Sequence, residues 1–260
     1  MNGQNIIRSA TPGSDWTRNE LLAYNIQVSL QEAPQFFGRE HEPIDHKLDA
    51  NLLSTADPTI AADLTKETYR FLAYLDLASH ANSGQESAID DFAKALGTVL
   101  RTRYDIPFTI CGRGSAAKTD VCLVHLNSMI LLVLQDKTNK SPRSPEAQVI
   151  AGAIAAFQYN NEKRVDRGLP PLDLMNIPCV TMIGTHPSFY KVPVTQELSD
   201  AVISGQYPNQ PTIVTRCVPP PRRRSFEGME FPDYRRIALQ CYSAFRSLAK
   251  DCWAEFAADF

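Results

Sequence analysis

The run from Lys118 to Lys137 constrains this chain more than any other segment. Lys118-Thr119-Asp120-Val121-Cys122-Leu123-Val124-His125-Leu126 and Met129-Ile130-Leu131-Leu132-Val133-Leu134-Gln135-Asp136-Lys137 are apolar stretches separated by Asn127-Ser128. Each is long enough for a strand, and the two residues between them predict a tight turn. Pairing outward from that turn sets Leu126 against Met129 and Asp120 against Gln135. Side chains alternate with period two along a strand, so Gln135 and Lys137 are expected on the face of Asp120. A carboxylate, an amide and an ammonium gathered at the end of an apolar hairpin point to chemistry rather than packing. A register slip of one residue would bring Asp136 beside Asp120 instead.

The flanking sequence frames this hairpin. Residues 1 to about 16 read as disordered or loosely attached, Tyr24 to Leu30 alternates like a strand, and 31–57 reads as loop. A helix is expected from about Pro58 to Ser79, with Leu64, Thr68, Phe71, Leu72 and Leu75 at helical spacing. A second begins near Ser83 and carries Ile89, Phe92, Leu96 and Leu100 on one stripe. Arg103 to Cys111 predicts a strand disturbed at Pro107, and Gly112 to Ser115 a turn. After the hairpin, Ser144 fits an N-cap and Pro145 the first position of a helix reaching about Arg164.

Farther on, 168–177 reads as loop, Cys179 to Gly184 as a buried strand and Phe189 to Val194 as its neighbour. Thr195 to Ser204 predicts a short helix. Pro219 to Arg224 reads as an exposed linker before a last helix from about Asp233, with Ile237, Cys241, Phe245 and Leu248 on one side. The link between the third and fourth strands is long enough for a helical crossover, which makes them parallel. The expected architecture is α/β, a mixed sheet flanked by helices. It divides into an extension (1–57), a core (58–205), and a linker with a C-terminal helix packed on the core (206–260).

Composition narrows the class. A hydrophobic content of 43% and a charged content of 21% belong to a globular protein. The net charge of −3 gives no global attraction to nucleic acid or anionic membrane. No run approaches the ~18 apolar residues of a membrane span, and the amino terminus lacks the apolar core of a signal peptide. The six cysteines (Cys111, Cys122, Cys179, Cys217, Cys241, Cys252) form no CxxC pair. They read as reduced core thiols of an intracellular protein, cytoplasmic or nuclear.

Asp120 on one strand and Gln135-x-Lys137 on the next, in this element order, resemble the PD-(D/E)xK, or restriction-endonuclease-like, nuclease superfamily. Gln135 stands where an acid is usual, so the match is to the glutamine variant. Glu86 lies where many members carry a glutamate on the preceding helix, and Gln148 where RecB-like members carry a glutamine on the following one. The resemblance covers about residues 83 to 195. The whole chain also resembles proteins of mushroom-forming fungi, which bears on compartment and not on chemistry.

The family resemblance implies phosphodiester hydrolysis of DNA or RNA with Mg²⁺ or Mn²⁺. Asp120, Glu86 and Gln135 would then be metal ligands, and Lys137 would orient the attacking water and stabilise the transition state. Gln148 would position a phosphate or the lysine. Gln135 in place of an acid removes one negative charge and predicts weaker metal binding. The resemblance leaves monomer and homodimer open. Between residues 101 and 143 the chain has seven Lys/Arg against three acids. Arg113 and Lys118 are candidates there for phosphate contacts.

Structural readings stand beside each of these. Ser83-x-x-Glu86 is a capping box. Asp120 could end a strand at the surface, Lys137 could guard a sheet edge, and Gln148 could be a surface amide of a first helical turn. His125 reads as a satisfied strand histidine, and His186 lies in a loop. Arg222-Arg223-Arg224 reads as a solvated linker, a phosphate tether or a localisation signal. Two rivals from other classes are an inactive nuclease-fold protein that binds nucleic acid or a protein partner, and a thiol hydrolase built on Cys122 or Cys179.

Overall fold

The computed structural model describes residues 3–38, 50–55, 64–66, 68–69, 71–72, 98–125, 130–137, 144–220 and 228–256, with backbone alone at 98–100, 131–137 and 255–256. Glu86 and its expected helix as far as residue 97, the Asn127-Ser128 turn and Arg222 to Arg224 lie outside these residues. Leu100, expected on that helix, instead belongs to a strand, Thr98–Ile110, because an apolar residue fits a strand as readily as a helical stripe. The Pro58–Ser79 helix is seen in part, with residues 66, 68, 69, 71 and 72 helical.

Among the described residues seven strands form one sheet: β1 (Ile26–Leu30), β2 (Thr98–Ile110), β3 (Arg113–His125), β4 (Ile130–Lys137), β5 (Leu174–Ile183), β6 (His186–Thr195) and β7 (Thr212–Cys217). Their order across it is β1-β7-β6-β5-β4-β3-β2. β2, β3 and β4 make an antiparallel meander, and β4 then pairs in parallel with β5. The connection between them is a 22-residue helix, Pro145–Asp166, as a parallel link requires. Three short helices near the amino terminus are α1 (Arg18–Ala23), α2 (Ala33–Phe37) and α3 (Ala50–Ser54); the crossover helix is therefore α4, followed by α5 (Gln196–Ser204) and α6 (Pro232–Phe256). The protein is mixed α/β, with helices packed on its sheet.

The ends of α4 follow the sequence signals. The Ser144 side chain accepts from the Ala147 amide and Pro145 opens the helix. Val149 to Phe157 is buried without interruption, because α4 is covered on two sides. One side is the sheet. Along the other, the amino-terminal segment covers the seam between helix and sheet, where Gly13 approaches so closely that a Cβ there would lie 2.7 Å from the Ala117 Cβ of β3 and 3.3 Å from that of Ala151 of α4. Trp16 is fully buried, stacks on Tyr24 at 5.5 Å and meets Phe108 edge-on. Residues 3–16 are thus tied to the core rather than loosely attached. A large aromatic ring outweighs the polarity of its neighbours.

The other sheet face receives α6. Phe189 meets Tyr242 at 4.9 Å and Phe245 at 5.0 Å, whereas Tyr190, the next residue, reaches Glu146 of α4. Adjacent strand residues thus serve opposite layers. The sheet also draws on every segment of the chain: β1 comes from 1–57 and pairs in parallel with β7 from 206–260.

Several strand ends differ from the sequence expectation. β2 continues through Pro107, which an edge strand tolerates because its outward N–H needs no ladder partner. The expected Gly112–Ser115 turn is tighter: Ile110 pairs with Arg113 across Cys111 (φ 48°) and Gly112 (φ 71°). Two positive φ values make a hairpin turn that follows strand twist. Cys111 is held there because its N–H donates to Val202 O at 2.9 Å and that of Gly112 to Ile203 O at 2.6 Å. β5 starts at Leu174, inside the stretch expected as loop.

Candidate functional site

The hairpin register places the expected residues at neighbouring positions. Val121 pairs with Leu134, Cys122 with Val133 and Leu123 with Leu132. Continued by one step, that ladder sets Asp120 across from Gln135. Nearer the turn the register shifts between Leu123 and Val124, so Val124 faces Ile130. The pairing is therefore not constant down to the turn, and the regular part of the ladder runs from Val121–Leu134 to Leu123–Leu132.

Asp120 itself interrupts the alternation. Ala117 lies beside Ala151 of α4. Val121 instead shares the row of Leu134, Val180 and Phe189, which belongs to the α6 face. Cys122 shares the row of Val133, Cys179 and Tyr190, which belongs to the α4 face. The buried face therefore changes parity across Asp120. On β2, Tyr104 pairs with Thr119 and Thr102 with Val121, while Arg103, between them, has φ 50°. Asp120 is half-buried, at an interrupted step of the ladder where period two does not fix its direction.

Gln135 and Lys137 occupy the outer end of β4, where their Cα partners on β5 are Thr181 and Ile183. Thr181 in turn pairs with Ser188. The adjacent row on the same face runs Val133, Cys179, Tyr190 and Arg216. These rows carry a polar group that sequence reading missed. The Arg216 Nη1 donates to Glu146 Oε2 at 3.2 Å and its Nη2 to Ser188 Oγ at 3.3 Å. The Tyr190 hydroxyl donates to the same Glu146 oxygen at 3.4 Å and lies 3.4 Å from Thr181 Oγ1. The Arg216 guanidinium carbon stands 5.7 Å from the centre of the Tyr190 ring. Burial pushes the Tyr190 phenol up to about 12, so it remains a neutral donor.

Glu146 had a visible signal, an acid in the first turn after a Ser-Pro helix start, but that reads equally as favourable charge at a helix N-terminus. Arg216 had none, because its partner is 70 residues away.

The remaining expected residues disperse. Lys118 is exposed and pairs with Asp105. Arg113 is exposed at the hairpin tip, roughly 23 Å from Asp120 at the ~3.3 Å rise of a strand. Gln148 is buried, and its amide nitrogen donates to Ser14 O, which ties the amino-terminal segment to α4. His186 packs on Tyr234 with centroids 5.7 Å apart, and its Nε2 is buried without a hydrogen-bond partner. All six cysteines are free and five are buried. Burial raises Cys122 to about 11, opposite to what a thiol nucleophile needs.

As a cation site, the donors Asp120 and Gln135 are oxygen-bearing groups of the kind a hard divalent ion prefers, but they carry one formal negative charge. Glu146 is engaged by Arg216 and Tyr190. Among the described residues no three His, Cys, Asp or Glu side chains gather as a metal-holding group. Among them, too, no helix is long and apolar enough to cross a membrane. No protein-family model matches the chain, and comparison with curated proteins gives no match.

Proposed function

We propose that this protein is a phosphodiester hydrolase of the PD-(D/E)xK type, acting on DNA or RNA. One observation carries the reading. An antiparallel β2–β3–β4 meander, the α4 crossover and a parallel β5 support Asp120 and Gln135 one ladder step beyond Val121 and Leu134. Lys137 follows on the same strand. Asp120 and Gln135, joined by Glu86, would hold Mg²⁺ or Mn²⁺, which when bound acidifies water and neutralises charge on the phosphate. Lys137 supplies a fixed positive charge for the phosphorane-like transition state and a donor that orients the water. The neutral amide at 135 leaves the ligand set poorer in charge than a two-acid site and predicts a demand for high metal concentration.

Purified protein should nick or degrade a labelled nucleic acid with Mn²⁺ and Mg²⁺, and Lys137→Ala should abolish cleavage while circular dichroism stays unchanged. Undiminished cleavage by that variant would remove Lys137 from the mechanism.

A second reading, a nuclease fold that binds nucleic acid without cutting it, is favoured by the single carboxylate that the described residues offer. Calorimetric titration with Mn²⁺ separates the two. Heat that disappears in Asp120→Asn supports the hydrolase, and no heat in the parent protein supports the silent binder.

A further inference from the structure

The Arg216 guanidinium is only partly used by the protein around it. One carboxylate oxygen and one hydroxyl accept from it, at 3.2 and 3.3 Å, the long end of hydrogen-bond distances. Its Nε is buried with no acceptor, although such a donor costs free energy when left unmatched. The pair is not sealed off: the Arg216 and Glu146 side chains are 34% and 28% exposed. Tyr190, Ser188 and Thr181 add hydroxyls around the same point. A planar fork of N–H groups beside hydroxyl donors matches the two free oxygens of a phosphodiester better than one oxygen of a carboxylate.

We propose that Arg216, with Tyr190 and Ser188, is the phosphate-binding subsite of this protein. Glu146 is the resident carboxylate that occupies it and that a substrate phosphodiester displaces. The row through Ser188 and Thr181 ends at Gln135 on β4, so a nucleic-acid strand held by Arg216 runs toward the Asp120–Lys137 end of the hairpin. As a subsite of a hydrolase, this rests on the proposed function; as an anion site it stands by itself.

The test measures binding of a fluorescein-labelled single-stranded oligonucleotide to the full chain in EDTA, with inorganic phosphate as competitor. Glu146→Gln keeps an acceptor for Tyr190 but removes the competing charge, and should bind the oligonucleotide several-fold more tightly. Arg216→Gln should bind it about tenfold more weakly or worse, because the fixed positive charge and the fork of donors are lost together. Arg216→Lys, which keeps the charge and loses the fork, should fall between them. Inorganic phosphate should compete with the oligonucleotide, and more effectively in Glu146→Gln, if a lone phosphate suffices. Competition by unlabelled oligonucleotide alone assigns the site to the diester in a strand.

Oligonucleotide affinities within twofold of the parent in both Glu146→Gln and Arg216→Lys overturn the subsite, and these two decide the matter if Arg216→Gln fails to fold. Affinities in the expected order, with no Mn²⁺-dependent cleavage by the parent, remove the hydrolase and keep the subsite. Cleavage with unaltered affinities does the reverse.

Discussion

Arg103 and Asp120 stand opposite one another at the step where the β2–β3 ladder is interrupted. Tyr104 pairs with Thr119 on one side of it and Thr102 with Val121 on the other, while Arg103 holds φ 50°. Each strand carries one residue outside the alternation, which keeps the register while turning the faces over.

That geometry gives the first prediction. A left-handed φ costs an L-residue roughly 1–2 kcal/mol, most for β-branched side chains. Arg103→Gly should leave the denaturation midpoint nearly unchanged, because relief of strain offsets glycine's entropy. Arg103→Val should be destabilised relative to Arg103→Gly by about 1–2 kcal/mol. Equal midpoints for the two variants would mean that the step is not held in this conformation.

Asn160 gives the second. It is fully buried, and its amide pairs with both backbone groups of Ile130, accepting from N at 2.8 Å and donating to O at 2.9 Å. Asn160→Ala strands two buried groups, each costing about 1–3 kcal/mol. Asn160→Asp keeps the acceptor but buries a carboxylate against the Ile130 carbonyl oxygen, so urea denaturation at neutral pH should rank it no better than alanine.

Alkaline pH gives the third. Burial raises Cys122 and Cys217 to about 11, Cys241 to about 12 and the Tyr190 phenol to about 12. Each folded-state value lies above the unfolded one, so the unfolded chain loses its protons first and the linkage slope is negative. The stability these groups contribute is complete below about pH 9 and is lost as pH rises toward 11–12. Midpoints measured at pH 7, 8.5, 9.5 and 10.5 should be flat at first and then fall. A midpoint that rises across that window contradicts the assignment.

Cysteine reactivity gives the fourth. Cys111 is half-buried beside the Tyr24 hydroxyl at 3.4 Å, and the other five thiols are buried. Brief alkylation of the native protein at pH 8 should add one label, at Cys111, by mass spectrometry. Rapid labelling of Cys122 or Cys179 would revive a thiol mechanism.

What the sequence made legible was local. Ser144-Pro145 marked the start of α4, and counting outward from Asn127-Ser128 gave the ladder at Val121–Leu134. What escaped depended on distant partners. β7 is a six-residue strand, and the β1 strand that completes its pairing lies near the other end of the chain. Cys111 is a poor turn residue by type and adopts a positive φ because α5 supplies acceptors for the turn. The inversion at Asp120 is invisible to a period-two rule, since the same letters serve a regular strand and an interrupted one. The Glu146–Arg216 pair joins a helix cap to a strand far downstream.

The far end of α4 has a bearing on all of this. Besides the Asn160 pair, Gln158 matches the N–H and C=O of Thr109, and Asn161 those of Leu172. Three amides within one helical turn each imitate a neighbouring strand, and they grip three separate stretches of chain. Sliding or rolling the helix by one residue would undo all three grips together, so α4 has one seat and no half-seated neighbours. Glu146 lies about 18 Å upstream of Gln158 at the ~1.5 Å rise of a helix, and its position is indexed from that distant anchor. Changes at 158–161, which touch no ligand, would surface as altered phosphate affinity.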